Sequence, residues 1–162
     1  MNSRKFFSKL KEESYDVSIF DLMNSKVYLE KDMAYLPEDY KKGYLEDFFT
    51  FFPEVLKEIK NKTEEEIEDF EIEDEEIIKA DLRLCSMGSK TTGRSSYEKL
   101  VKTVINYLIF INKKPLHALT TRFPGGKQII EKNGNYYCPI KNAQSNELSI
   151  CEFCICKDLN EL

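Results

Sequence analysis

Residues 95–112 read SSYEKLVKTVINYLIFIN, and this stretch decides the fold. Leu100, Val101, Val104, Ile105, Leu108 and Ile109 recur at the spacing of an amphipathic helix and form one broad apolar face. Ser95 or Ser96 stands in front as a cap, since a hydroxyl there can accept from the free N–H groups of the first turn. So wide a face needs cover from several sides. The helix is therefore predicted to be the core of a mainly α fold, a helical bundle with its other helices packed round it.

The same periodicity recurs upstream. Phe6, Phe7 and Leu10 predict a short first helix with Ser3 as its cap, and Ile19, Phe20, Met23, Val27 and Leu29 a second that ends before Pro37. Pro37 suits the first turn of a third helix carrying Tyr40, Tyr44, Leu45, Phe48, Phe49 and Phe52. Pro53 should end or kink that helix and start the next, with Val55, Leu56 and Ile59. Residues 64–76 hold ten acids and no base, and Ile67, Phe70, Ile77 and Ile78 fit a narrow stripe beneath them. That pattern predicts a helix with an acidic outer face, either simply solvated or a docking surface for a basic partner protein. Residues 86–96, polar and with Gly88 and Gly93, form the break before the core helix. Gly88-Ser89-Lys90-Thr91 within it lacks the first glycine and the preceding strand of a phosphate-binding loop, so no nucleotide site is expected.

Downstream the texture changes, which divides the chain into a helical bundle over 1–112 and a tail over 113–162 packed on it as one unit. Pro115, Pro124, Gly125 and Gly126 mark an ordered loop that should bury Leu116 and Phe123. Asn133-Gly134 between β-prone segments predicts a small β-hairpin, because both turn residues must tolerate positive φ. Pro139 should stop its second strand just after Cys138.

Four of the five cysteines, Cys138, Cys151, Cys154 and Cys156, lie in the last 25 residues, while Cys85 stands apart. An odd number and a tight C-x-x-C in a polar tail argue against a secreted disulfide scaffold. C-x-x-C lets two thiolates converge on one cation, and a hairpin holding a further cysteine beside it is the construction of ribbon-like zinc sites. The spacing C-x12-C-x2-C-x-C supplies Cys138, Cys151 and Cys154, and leaves the fourth ligand open between His117, Cys85 and Cys156. His117, the single histidine, precedes the hairpin; Cys156 is nearest in sequence but separated from Cys154 by Ile155 alone. Thiolates suit Zn²⁺ and a 4Fe-4S cluster alike, and the hairpin favours zinc. A redox Cys151/Cys154 pair is disfavoured, as such motifs open a helix after a strand.

Composition limits the partners. Lys and Arg total 24 against 29 Asp and Glu, a net charge of −5, so no broad nucleic-acid or anionic-membrane footprint is expected. No apolar run approaches a membrane span, and residues 1–20 lack the apolar core of a signal peptide, which together predict a cytoplasmic protein.

His117, the run Thr121-Arg122-Phe123-Pro124-Gly125-Gly126, Tyr136-Tyr137-Cys138-Pro139 and Cys151-Glu152-Phe153-Cys154 together resemble the signature of an uncharacterised protein family of methanogenic archaea, a domain of unknown function. The resemblance covers about residues 115–156. It implies that His117, Cys138, Cys151 and Cys154 act together, and it leaves Cys156 outside the signature. Ala118 and Thr120 stand where the family has Pro and Gly, which implies a less rigid loop. The family lends a site and a host but no reaction. The first expectation is a non-enzymatic protein whose structural zinc supports a partner-binding surface. The alternatives are an iron–sulfur redox or cluster-carrier protein, and a metal-dependent enzyme with an open coordination position.

Overall fold

Helix α5 (Arg94–Asn106) lies at the centre of the bundle, with Leu100 and Val104 wholly shielded from solvent and Val101 and Ile105 nearly so. The computed structural model describes residues 1–86, 91–141 and 149–162. Around α5 pack α1 (Ser3–Tyr15), α2 (Ile19–Asp32), α3 (Glu38–Asn61) and α4 (Asp74–Ser86). The core helix runs on into a π turn over Tyr107–Asn112. Its Phe110 meets Phe6 edge-on with ring centroids at 5.8 Å, and Tyr107 lies 6.1 Å from Phe7. The mainly helical bundle expected from the apolar periodicity is thus present. Among the described residues no helix is long and apolar enough to cross a membrane.

Several local expectations are corrected. The cap of α1 is Asn2, whose Oδ1 accepts from the Arg4 and Lys5 N–H groups at 3.0 and 3.3 Å, while Ser3 is buried and donates to the Glu68 carbonyl. The helix expected over the acidic run begins only at Asp74, as α4, and residues 64–73 stay outside it. After a 3-10 turn at Glu64–Glu66 the segment runs back along the start of α1: the Ser3 N–H donates to the Phe70 carbonyl, Arg4 Nε to the Ile67 carbonyl, and Ile67 and Ile72 turn inward. Carboxylates at helical spacing repel one another except in a first turn, where Asp74, Glu75 and Glu76 stand, and the N-terminal backbone offers donors to the part before it. Pro53 neither ends nor replaces α3. One helix of 24 residues passes through it, because Phe48 and Phe52 before the proline and Val55, Leu56 and Ile59 after it share one buried face. That burial outweighs the roughly 3 kcal/mol a mid-helix proline costs.

Helix α5 is capped by neither Ser95 nor Ser96. Its N-cap is Gly93, and the Ser96 hydroxyl donates to Asp21 of α2 at 2.7 Å. Met87, Gly88, Ser89 and Lys90, with most of the Gly-Ser-Lys-Thr run, lie outside the described residues. Helix α2 forms where expected but is rotated. It buries Ser25, Tyr28 and Leu29 and leaves Ile19, Phe20, Met23 and Val27 exposed at 68, 70, 61 and 41 %. The rotation follows from ties to α5: Tyr28 stacks on Tyr97 with centroids at 4.6 Å, and Asp21 takes the Ser96 and Lys99 donors.

Beyond the bundle, Leu116 and Phe123 of the loop are buried as expected. Strands β1 (Ile130–Lys132) and β2 (Asn135–Cys138) pair antiparallel through Asn133 and Gly134, both at positive φ. A third strand the sequence did not announce, β3 (Lys157–Asp158), pairs parallel to β2 with Cys138 opposite Asp158. Two residues carry no legible period.

Candidate metal centre

The hairpin and the chain end meet at their cysteines. Cys138 ends β2, the central strand, and Cys156 immediately precedes β3, so pairing of the two strands brings the two cysteines into one buried cluster. Cys138 and Cys156 are buried with Phe123 and Ile129, and Cys154, Tyr136 and Ile140 pack against them. This is a second small core, separate from that of the bundle. Cys151 lies in the 3-10 turn Ile150–Phe153 and Cys154 ends it, and Ser149 caps the turn by accepting the Cys151 N–H at 3.1 Å.

The electrostatics of this corner are those of neighbouring thiols. Cys154 and Cys156 share a hydrogen bond, which keeps the proton on Cys156 and favours the thiolate at Cys154. The N–H groups of Cys156 and Leu116 also donate to the Cys154 sulfur, so the loop beside His117 closes directly onto the C-x-x-C turn. Burial pushes the Cys138 thiol up, and the charges of Cys154 and Cys151 add to the rise. Lys141 opposes them. Its ammonium donates to the carbonyls of Cys151 and Cys154, the second at 3.0 Å, and so sits as a positive charge beside the sulfurs.

The turn is also held to the bundle. Arg83 of α4 donates to the Ser149 carbonyl at 3.0 Å, pairs with Glu152, and lies over the Phe153 ring at 4.9 Å. Lys79, one helical turn earlier, reaches Glu152 at 3.3 Å. Arg83 first and Lys79 second hold the Glu152 carboxyl below its ordinary range. Lys141, Arg83 and Lys79 had no mark in the sequence: their partners are mostly backbone carbonyls or residues far along the chain. Glu152 could have been noticed, because it lies inside the C-x-x-C itself.

His117 and Cys85 stand differently. His117 packs edge-on against Phe123, centroids 5.2 Å apart, and burial pushes its pKa below the ordinary imidazole value. It forms part of the wall of two cavities, one of about 100 Å³ among Phe51, Tyr97 and Thr121 and one of about 370 Å³ beside Glu54, Glu58 and Lys114. Through Phe123 it touches the cysteine core. Cys85 is exposed at the end of α4, where its carbonyl accepts from Arg94 at 2.6 Å. Among the described residues no group of three or more His, Cys, Asp or Glu side chains is placed so that it could hold a metal ion. What is gathered is a set of soft donors: Cys138, Cys154 and Cys156 together, with Cys151 in electrostatic reach.

A UPF0305 protein of Methanococcus maripaludis strain C7 is 93 % identical to this chain over the full length of both. A UPF0305 protein of Methanocaldococcus jannaschii is 42 % identical over all of this chain and 99 % of its own length. One from Methanothermobacter thermautotrophicus is 31 % identical over 96 % of this chain and 95 % of its own. No solved structure matches the chain. The model of the family described as "Uncharacterized protein conserved in archaea (DUF2115)" matches residues 2–159, which takes in the bundle and the tail together. The chain belongs to that archaeal family, whose members occur in the methanogens named here, as the resemblance of the tail implied.

Proposed function

We propose that this is a metal-binding protein in which one Zn²⁺ fastens the C-terminal ribbon onto the helical bundle and supports a surface for a partner protein. The observation that carries the reading is the packing of Cys138, Cys154 and Cys156 in one small core beside a three-stranded sheet, with the Cys151 thiol nearby and a lysine beside them. Soft sulfur donors from a hairpin and a C-x-x-C turn are what a closed structural zinc site requires. Cys138, Cys151 and Cys154 are the proposed ligands. Cys156 is favoured as the fourth over His117, because it already shares a hydrogen bond with Cys154. Affinity for metal would then contribute to stability directly, since the tail core consists of few apolar side chains. The acidic stretch over 64–76, exposed apart from Ile67, Phe70 and Ile72, is the proposed surface for a basic protein partner.

A second reading is a 4Fe-4S cluster on the same sulfurs, favoured by a set of four tail cysteines without the histidine. Metal analysis of anaerobically purified protein separates the two. Zinc near one equivalent with no visible absorption supports the first; brown protein whose absorption dithionite bleaches supports the second. Cys138→Ser and Cys154→Ser should each lose the metal, while Cys85→Ser keeps it. Protein that carries no metal and shows no sulfur-to-cobalt charge-transfer band on titration with Co²⁺ overturns the proposal.

A further inference from the structure

Helix α2 carries two apolar faces and the bundle uses one. Ser25, Tyr28 and Leu29 point inward, and Ile19, Phe20, Met23 and Val27 stand outward on the opposite side. At 100° per residue those four fall within an arc of about 100° along two turns of helix. Their exposures correspond to roughly 500 Å² of contiguous apolar side-chain surface, near the upper end of what a monomer shows. Asn24, Lys26, Glu30 and Lys31 surround the stripe and are all exposed. An apolar centre inside a polar rim is the anatomy of a protein interface.

We propose that this face is the interface of a homodimer in which α2 packs antiparallel on α2 of a second copy, about a two-fold axis near Met23. Over two copies the stripe alone amounts to roughly 1000 Å², the small end of specific interfaces. The two-fold brings Ile19 of one copy toward Val27 of the other. It also sets Glu30 beside the partner's α2 N-terminus, where the helix dipole favours a carboxylate. Lys31 of the two copies lie at opposite ends and do not repel. The charges of the face, Lys26, Glu30 and Lys31, sum to +1, although the chain as a whole carries −5. A face with so little net charge suits a copy of itself better than a strongly charged partner, and it lets two acidic chains meet away from their acidic surfaces. The inference is independent of the metal.

The test is sedimentation of the full chain over a wide concentration range. The expected species is twice the 19.0 kDa of one chain. Met23→Glu and Phe20→Glu, each on the outer surface of a single copy, should weaken association by about 100-fold or more with an unchanged helical circular dichroism spectrum. A wild-type chain that stays monomeric throughout overturns the proposal, and so does a dimer that both substitutions leave intact.

Discussion

Gly93 stands at φ +88 immediately before α5, and a Cβ there would lie 2.3 Å from the carbonyl oxygen of Asn24. Both the backbone conformation and the close approach of α2 exclude a side chain. Gly93→Ala should therefore cost about 1–3 kcal/mol in urea unfolding. Gly43→Ala, inside α3 with nothing within 4 Å, should stabilise by roughly 0.5–1 kcal/mol. Equal effects at the two glycines would remove the close approach from the account. Asp21 ties α2 to α5 at the same junction. Burial would raise its carboxyl, but the Ser18 N–H, the Ser96 hydroxyl and Lys99 outweigh that and hold it at about 2, below the ordinary 3.8. A pKa lowered by folding stabilises the protein above the ordinary value, and that stability is lost as pH falls through the lowered one. Asp21→Ala should cost about 1–2 kcal/mol near neutral pH. The difference from wild type should shrink as pH drops from about 4 toward 2 in denaturant titrations, and a difference constant with pH would contradict the assignment.

At the scale of elements, α4 reaches the C-x-x-C turn through Arg83 and Lys79. Arg83→Met keeps the stem over Phe153 but loses the bond to the Ser149 carbonyl and the pair with Glu152. Amide exchange over 150–158 should quicken while α5 keeps its protection; unchanged exchange in the tail would show that Arg83 does not hold it. Elements were legible in the sequence where one pattern dominated. The broad face of α5 and the Asn133-Gly134 turn are such cases, and both form as read. Helix α2 was legible as a helix but not in its rotation, because both of its faces are apolar and the choice rests on Tyr28, Tyr97 and Asp21. The acidic segment read as a helix because periodicity takes no account of repulsion among its carboxylates. The cysteines of the tail were visible as a cluster, whereas Lys141 and Arg83 act on backbone carbonyls that no spacing announces.

Taken whole, the molecule is a helical bundle with a substantial aromatic and aliphatic core joined to a ribbon with a very small one. Leu116, Ile150 and Phe153 bind the ribbon to the bundle, as do the contacts of Arg83 and Lys79. The rest of the tail packs on Phe123, Ile129, Cys138 and Cys156. On this account a metal completes the ribbon, and chelation should loosen residues 113–162 before the helices, seen as a loss of amide protection confined to the tail. The most direct measurement is X-ray absorption at the zinc edge on protein purified without added metal. The account predicts zinc in a four-atom shell dominated by sulfur at about 2.3 Å, lost in Cys138→Ser. A zinc shell made of oxygen and nitrogen alone, or protein with no metal to scan, would contradict it.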